Sequence, residues 1–213
     1  MRILVFGATG ATGAHIVEQG LIRGDEITAF VRQGEHIEPS SRLSVIEADV
    51  LDAAAVHAVI PGHHAVIVAL ESSGHQPADL LGRAVVDIIS AMHESNVRRI
   101  VALSVAGASD RGEALAHLTL ADRVMMRTAA STVLRGALAD ALAMERALEE
   151  SDLNYTIVRP ARLSDAPRSG SYRVELGALP AHATSVPRGD VAEFMLMQLD
   201  SELYARKSPY LGA

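Results

Sequence analysis

Near the start of the chain, Gly7-Ala8-Thr9-Gly10-Ala11-Thr12-Gly13 puts glycine at every third place, directly after an apolar run. Glycines so spaced permit positive φ and let the backbone come close to a ligand, while the free N–H groups of a helix opening at Ala11 face an anion. The spacing is G-x-x-G-x-x-G rather than G-x-G-x-x-G, but the physical requirement is the same. Gly7, Thr9, Gly10, Ala11, Thr12 and Gly13 are therefore expected to hold the pyrophosphate of a dinucleotide. The plainer alternative is a tight strand-to-helix turn that binds nothing.

Groups with matching chemistry follow at later strand ends. After Phe30-Val31 comes Arg32, where a site for an unphosphorylated ribose usually has Asp or Glu. A guanidinium suits a 2′-phosphate through paired N–H donors, so NADP(H) is expected in preference to NAD(H). A solvated surface arginine is the alternative, and Arg42 is a more distant helper. Asp49 and Val50 follow the third strand, where a carboxylate can accept from an adenine amino group; Asp49 or Asp52 equally suits the cap of the next helix. Leu70 and Ser72 end the fourth strand and Ser104 ends the fifth, all beside the expected crevice.

These positions need strands and helices in alternation, and the hydrophobic pattern supplies them. Strands are expected at 2–6, 25–31, 43–46, 65–70, 98–104 and 155–158, the last stopped by Arg159-Pro160, with helices at 11–23, 51–60 and 77–95. Residues 111–150 read as mostly helical with a break near 129–132, 171–176 as a half-exposed strand, and 190–199 as a helix capped by Gly189 or Asp190. Such alternation specifies an α/β doubly wound parallel sheet in one domain, 1–213, with a small irregular C-terminal part.

Composition narrows the function. The chain has 213 residues, net charge −7, no cysteine, 18 arginines and a single lysine, Lys207. Without cysteine there are no disulfides, zinc ribbons or thiol nucleophiles. The acidic balance argues against a nucleic-acid partner, and 3% aromatics offer little for base stacking. No apolar run approaches a membrane span and none opens the chain as a signal peptide, so a cytoplasmic protein acting on a small molecule is expected. His57, His63 and His64 read as exposed polar residues rather than ligands, and no metal is expected. Arg98-Arg99 reads as a solvated edge, and Met125-Met126 and Met195-Leu196-Met197 as helix-packing residues.

The glycine turn, Val31-Arg32, Asp49-Val50, Leu103-Ser104-Val105-Ala106-Gly107 and Tyr155 to Pro160 resemble the atypical short-chain dehydrogenase/reductases, the NAD(P)H-binding proteins related to the NmrA-like group. Gly170 to Val174 and Asp190 to Leu196 are similar to its flavin reductase, or biliverdin-IXβ reductase, branch. The resemblance implies a Rossmann-type fold, NADPH, and reduction of a flavin, quinone or linear tetrapyrrole. It makes Ser104 the candidate catalytic residue, contacting nicotinamide or a substrate oxygen; capping the following turn is the alternative. Matching Pro160 to the branch's Pro-rich strand end places Pro160, Ala161, Arg162 and Leu163 on the substrate side. Arg162, where the branch has histidine, would pair with an acidic group on the substrate or hold a loop against Asp165.

The Tyr-x-x-x-Lys pair that most of the superfamily uses for proton transfer cannot form. Lys207 lies three residues after Tyr204, and no tyrosine precedes Tyr155. On the matching helix, Ala137 and Ala141 take the two places. Ordinary alcohol dehydrogenation is disfavoured, whereas hydride transfer to an electron-poor acceptor needs mainly orientation and water exclusion. An NADP(H)-binding sensor with little turnover is the alternative.

Overall fold

In β1 (Arg2–Phe6), Leu4 and Phe6 face one way, Ile3 and Val5 the other, and all four are fully buried. A strand covered on both faces belongs inside a parallel sheet with helices on either side. The structure, a computed structural model, describes residues 1–70, 79–106, 135–183 and 185–213. After β1 come α1 (Ala11–Arg23), β2 (Glu26–Val31), β3 (Leu43–Glu47), α2 (Ala53–Val59), β4 (Ala65–Val68), α3 (Leu80–Glu94) and β5 (Arg99–Leu103). Then follow α4 (Arg135–Glu150), β6 (Asn154–Pro160), β7 (Arg162–Ser164), β8 (Arg173–Glu175), β9 (Ser185–Pro187), α5 (Arg188–Met197) and β10 (Tyr210–Gly212).

The main sheet runs β3-β2-β1-β4-β5-β6-β10-β8, parallel throughout except for β8 against β10. On one face Leu4, Phe6, Val68 and Ile100 pack with Val56, Ile88 and Met144 of α2, α3 and α4. On the other, Ile3, Val5, Ile67 and Val101 pack with Ile16, Val191 and Met195 of α1 and α5. This is the expected Rossmann-type doubly wound sheet. Its order reverses at β1, whose neighbours are β2 and β4, and that opens a crevice at the carboxyl ends of the strands.

Several boundaries differ for identifiable reasons. Strand β6 continues through Arg159-Pro160 because the donors on this side are alternate residues, Ile157 N to Lys207 O, Arg159 N to Pro209 O and Ala161 N, just past the strand, to Leu211 O of β10, so the missing proline N–H lies on the other side. Arg98 is exposed and paired with Asp152, but Arg99 is buried, not solvated. Its guanidinium donates to the carbonyls of Gln198, Asn154 and Ile100 and to the Thr156 hydroxyl. Burial lowers its pKa to about 10, which keeps it charged at neutral pH. Helix α5 begins at Arg188 behind Pro187, and the Asp190 carboxylate is turned to a neighbouring loop instead of capping the helix. Met195 and Leu196 pack as expected, but Met197 is exposed. The expected break at 129–132, Met125-Met126 and Ser72 lie outside the described residues.

Helix α3 is held by its neighbour. Its N-cap residue Asp79 makes no side-chain cap bond. The buried Asp140 of α4 instead accepts from Leu81 N at 2.9 Å and Gly82 N at 2.8 Å. Two otherwise orphaned amides are thereby satisfied, and α4 is fixed in register beside α3.

Candidate functional site

Gly7 directly follows β1 at φ +82°, and a Cβ there would lie 2.5 Å from the carbonyl oxygen of Ala69, just past β4. At Gly13 a Cβ would lie 1.9 Å from the Gly7 carbonyl oxygen. The two glycines thus press the turn against β4 and α1 against the turn, at the point where strand order reverses. Helix α1 starts behind Gly10 with no side-chain cap and no acidic residue in its first turn. Backbone N–H groups and the positive end of the helix dipole therefore face the crevice. Thr9 is half-buried and Thr12 fully buried beside them. The spacing brings these groups together as the sequence anticipates.

Arg32 follows β2 directly and is exposed, but it is paired. Its Nη2 lies 2.6 Å and its Nε 3.1 Å from Oε1 of Glu35, and the other oxygen of that carboxylate accepts from the Thr9 hydroxyl. Partial burial raises the Glu35 pKa, but the Thr9 and Arg32 hydrogen bonds and the Arg32 charge outweigh it and hold the group below the ordinary glutamate value. Arg42 is not part of this corner. It precedes β3 at the amino ends of the strands, with its guanidinium near Gly24 beyond the end of α1.

Asp52 caps α2 by accepting from Ala54 N and Ala55 N, while Asp49 accepts from Leu51 N at 2.9 Å in a local turn. Val50 is buried in the core. Leu70 lies two residues past β4 and is half-buried against the Gly7 turn.

The end of β5 is different. Ser104 N continues the ladder to Val158 O, and the buried Ser104 hydroxyl donates to Oε1 of Glu145 on α4 at 2.5 Å. Glu145 is itself buried and takes Arg159 of β6 in a two-point pair of 2.9 and 2.6 Å. Burial pulls the Arg159 pKa down, but the Glu145 hydrogen bonds and charge outweigh it and hold the guanidinium above its ordinary value. Arg159 also stacks 5.4 Å from the Tyr210 ring centroid. The Ser104 proton is thus directed at a carboxylate and not at the crevice.

Beyond it, Pro160 and Ala161 are buried, Leu163 is half-buried and Arg162 is exposed on β7. Arg162 does not hold Asp165, which pairs with Arg188 at 2.6 Å. The fully buried Asp190 accepts from Ser169 N, Ser169 Oγ and Gly170 N and ties this loop to α5.

Sequence reasoning missed Glu35, Glu145 and Asp140, named Arg159 without its carboxylate partner, and read Asp190 as a helix cap. The signal for Glu35 was available, since Arg32-Gln33-Gly34-Glu35 reads as a turn that folds an acid onto a base. Contacts spanning long sequence separations gave no such signal for the others. His63, half-buried and not exposed, bonds Thr28 Oγ1 at 2.8 Å, and His64 Nδ1 accepts from Arg2 N, ahead of β4 at the amino ends of the strands and remote from the crevice. Among the described residues no group of His, Asp or Glu could hold a metal ion, and no helix is long and apolar enough to cross a membrane.

Known proteins are similar to this chain in sequence and in fold. An uncharacterized chloroplastic protein of Arabidopsis thaliana is 28% identical over 187 residues, 82% of this chain, which spans 63% of that relative's length. A short-chain dehydrogenase/reductase of Veillonella parvula, solved in complex with NADP, superposes with TM-score 0.81 at 23% identity over 100% of this chain and 94% of its own. ChuY of Escherichia coli O157:H7, described as an anaerobillin reductase, superposes with TM-score 0.76 at 22% identity over 99% and 96%. The family model described as NAD(P)H-binding matches residues 7–202, and with its glycine turn at the switch point of a doubly wound sheet, this chain belongs to the NAD(P)H-binding family.

Proposed function

We propose that the chain is an NADPH-dependent reductase that delivers hydride to a small planar acceptor of flavin, quinone or tetrapyrrole type. The observation that carries this is the cradle at Gly7 and Gly13, where any side chain would collide with backbone. Its open α1 amides fit a pyrophosphate, with Thr9 beside them and Arg32 within reach of a 2′-phosphate. NADPH would supply the hydride. Asp49 and Val50 would lie at the adenine, and Leu70 beside the nicotinamide ribose. Pro160 to Leu163 would line the acceptor side, where Arg162 offers a cation.

No group in the described crevice is arranged as the usual proton donor. The single lysine, Lys207, spends its ammonium on the Leu203 carbonyl, and Ser104 is bonded to Glu145. An acceptor that takes its proton from solvent suits such a site. The same commitment of Ser104 favours a second reading, an NADP(H)-binding sensor with slow turnover.

Two measurements test this. Titration calorimetry is expected to show NADPH bound more tightly than NADH, with Arg32→Ala lowering the ratio by about tenfold, the scale of one charge-assisted hydrogen bond. An unchanged ratio would reject the role of Arg32. Absorbance at 340 nm is then followed with FMN, FAD, quinones and biliverdin. Turnover with one of them supports the reductase, and tight binding with no turnover supports the sensor.

A further inference from the structure

We infer that Glu35, which holds Arg32 and Thr9, is a specificity-determining residue that competes with the cofactor's 2′-phosphate for Arg32; this rests on the reading of the site as a dinucleotide cradle. The turn that carries Glu35 is built for the purpose. Glu35 N donates to Arg32 O at 3.0 Å, and Gly34 between them has φ +85°. A Cβ at Gly34 would meet nothing within 4 Å, so backbone conformation and not space demands glycine. The turn folds the carboxylate back over the glycine-rich loop of β1–α1. One oxygen accepts the Arg32 guanidinium and the other the Thr9 hydroxyl, with the Glu35 side chain 28% exposed against 60% for Arg32.

The two partners of this carboxylate are the groups a phosphate would use here. Carboxylate and phosphate are alternative acceptors for the same guanidinium fork. They cannot share it without like-charge repulsion in a partly shielded corner. A 2′-phosphate therefore enters only as the Glu35 side chain leaves. A ribose bearing a free 2′-hydroxyl has no such conflict, because a hydroxyl donates to a carboxylate. Arg32 draws the site toward the phosphorylated cofactor, Glu35 offsets part of that pull, and the site keeps access to the unphosphorylated one.

The test is calorimetric titration of the full chain with 2′,5′-ADP and with 5′-ADP, for wild type, Glu35→Gln and Arg32→Ala. Glutamine keeps the reach of the side chain and removes its charge, and circular dichroism with a thermal melt verifies the fold. Glu35→Gln is expected to bind 2′,5′-ADP about fivefold or more tightly than wild type while 5′-ADP does not tighten. Affinity for 2′,5′-ADP within about twofold of wild type would overturn the proposal, as would equal tightening toward both probes. If Arg32→Ala loses the preference for 2′,5′-ADP while Glu35→Gln changes nothing, the NADPH reading stands and only the role of Glu35 falls. If wild type and Glu35→Gln bind neither probe, the cradle reading fails and takes the proposal with it.

Discussion

The two ends of the crevice use polar groups in opposite ways. Around β1 and β4 the work is done by backbone: glycines without side chains, an uncapped helix start and amides that point outward. At the end of β5 and β6 it is done by side chains that bond one another, with the Ser104 hydroxyl, the Glu145 carboxylate and the Arg159 guanidinium closed into one buried chain. The first end is prepared for a ligand that brings its own charge. The second has satisfied its charges internally, and that favours chemistry in which the protein orients the reactants and donates nothing.

The sharpest way to break this contrast is Glu145→Ala. It leaves the Arg159 guanidinium, 12% exposed, without its principal partner. Removing one member of a buried ion pair costs about 3 kcal/mol or more, which urea unfolding would register. Ser104→Ala deletes one bond to the same carboxylate and is expected to cost about 1 kcal/mol. Similar small losses in both variants would show that the pair is not a structural lock.

At the other end, Gly13→Ala forces a methyl group onto the Gly7 carbonyl, 1.9 Å away if nothing moved. NADPH affinity should fall by about tenfold or more, the scale of one or two lost hydrogen bonds from amides to a charged phosphate. Near-normal binding by fluorescence titration would mean that the turn is not the cradle.

The smallest expected effect lies far from both ends. Burial pushes the His63 pKa below the ordinary 6.5, with the hydrogen bond to the Ile60 carbonyl opposing. Between the two values the unfolded chain binds more protons, so this contribution is complete above about pH 6.5 and is lost as pH falls below it. His63→Gln should flatten that part of the acid-side decline and leave NADPH affinity at neutral pH unchanged. Identical pH–stability slopes for the two proteins would contradict it.

The geometry of the glycine-turn end was legible in the sequence because its determinants are local. A strand, a glycine turn and a helix follow one another within residues 2–23, and Arg32 ends the next strand. Ser104 was placed correctly in the chain, but its partner is 41 residues away on α4. No spacing rule reveals such a pair. Arg99 was misread as solvated for the same reason, since the carbonyls that bury it come from Asn154 and Gln198. The short strands β7, β9 and β10 carry too few residues for an alternating pattern to show. Their pairing is decided by what they meet in the fold.

Strand β10 has a consequence for how the molecule is made. It pairs with the outer side of β6, yet Tyr210 lies about 50 positions after Pro160. A ribosome can lay down the sheet as far as β6 in the order in which its strands are synthesised. The flank of β6 then stays uncovered until Tyr210 to Gly212 have been made. An open row of strand amides invites pairing with another chain. The vulnerable interval in the life of this protein is thus the one between the making of β6 and the making of β10, a segment that lies across β6 and β5 from the strands flanking the glycine turn.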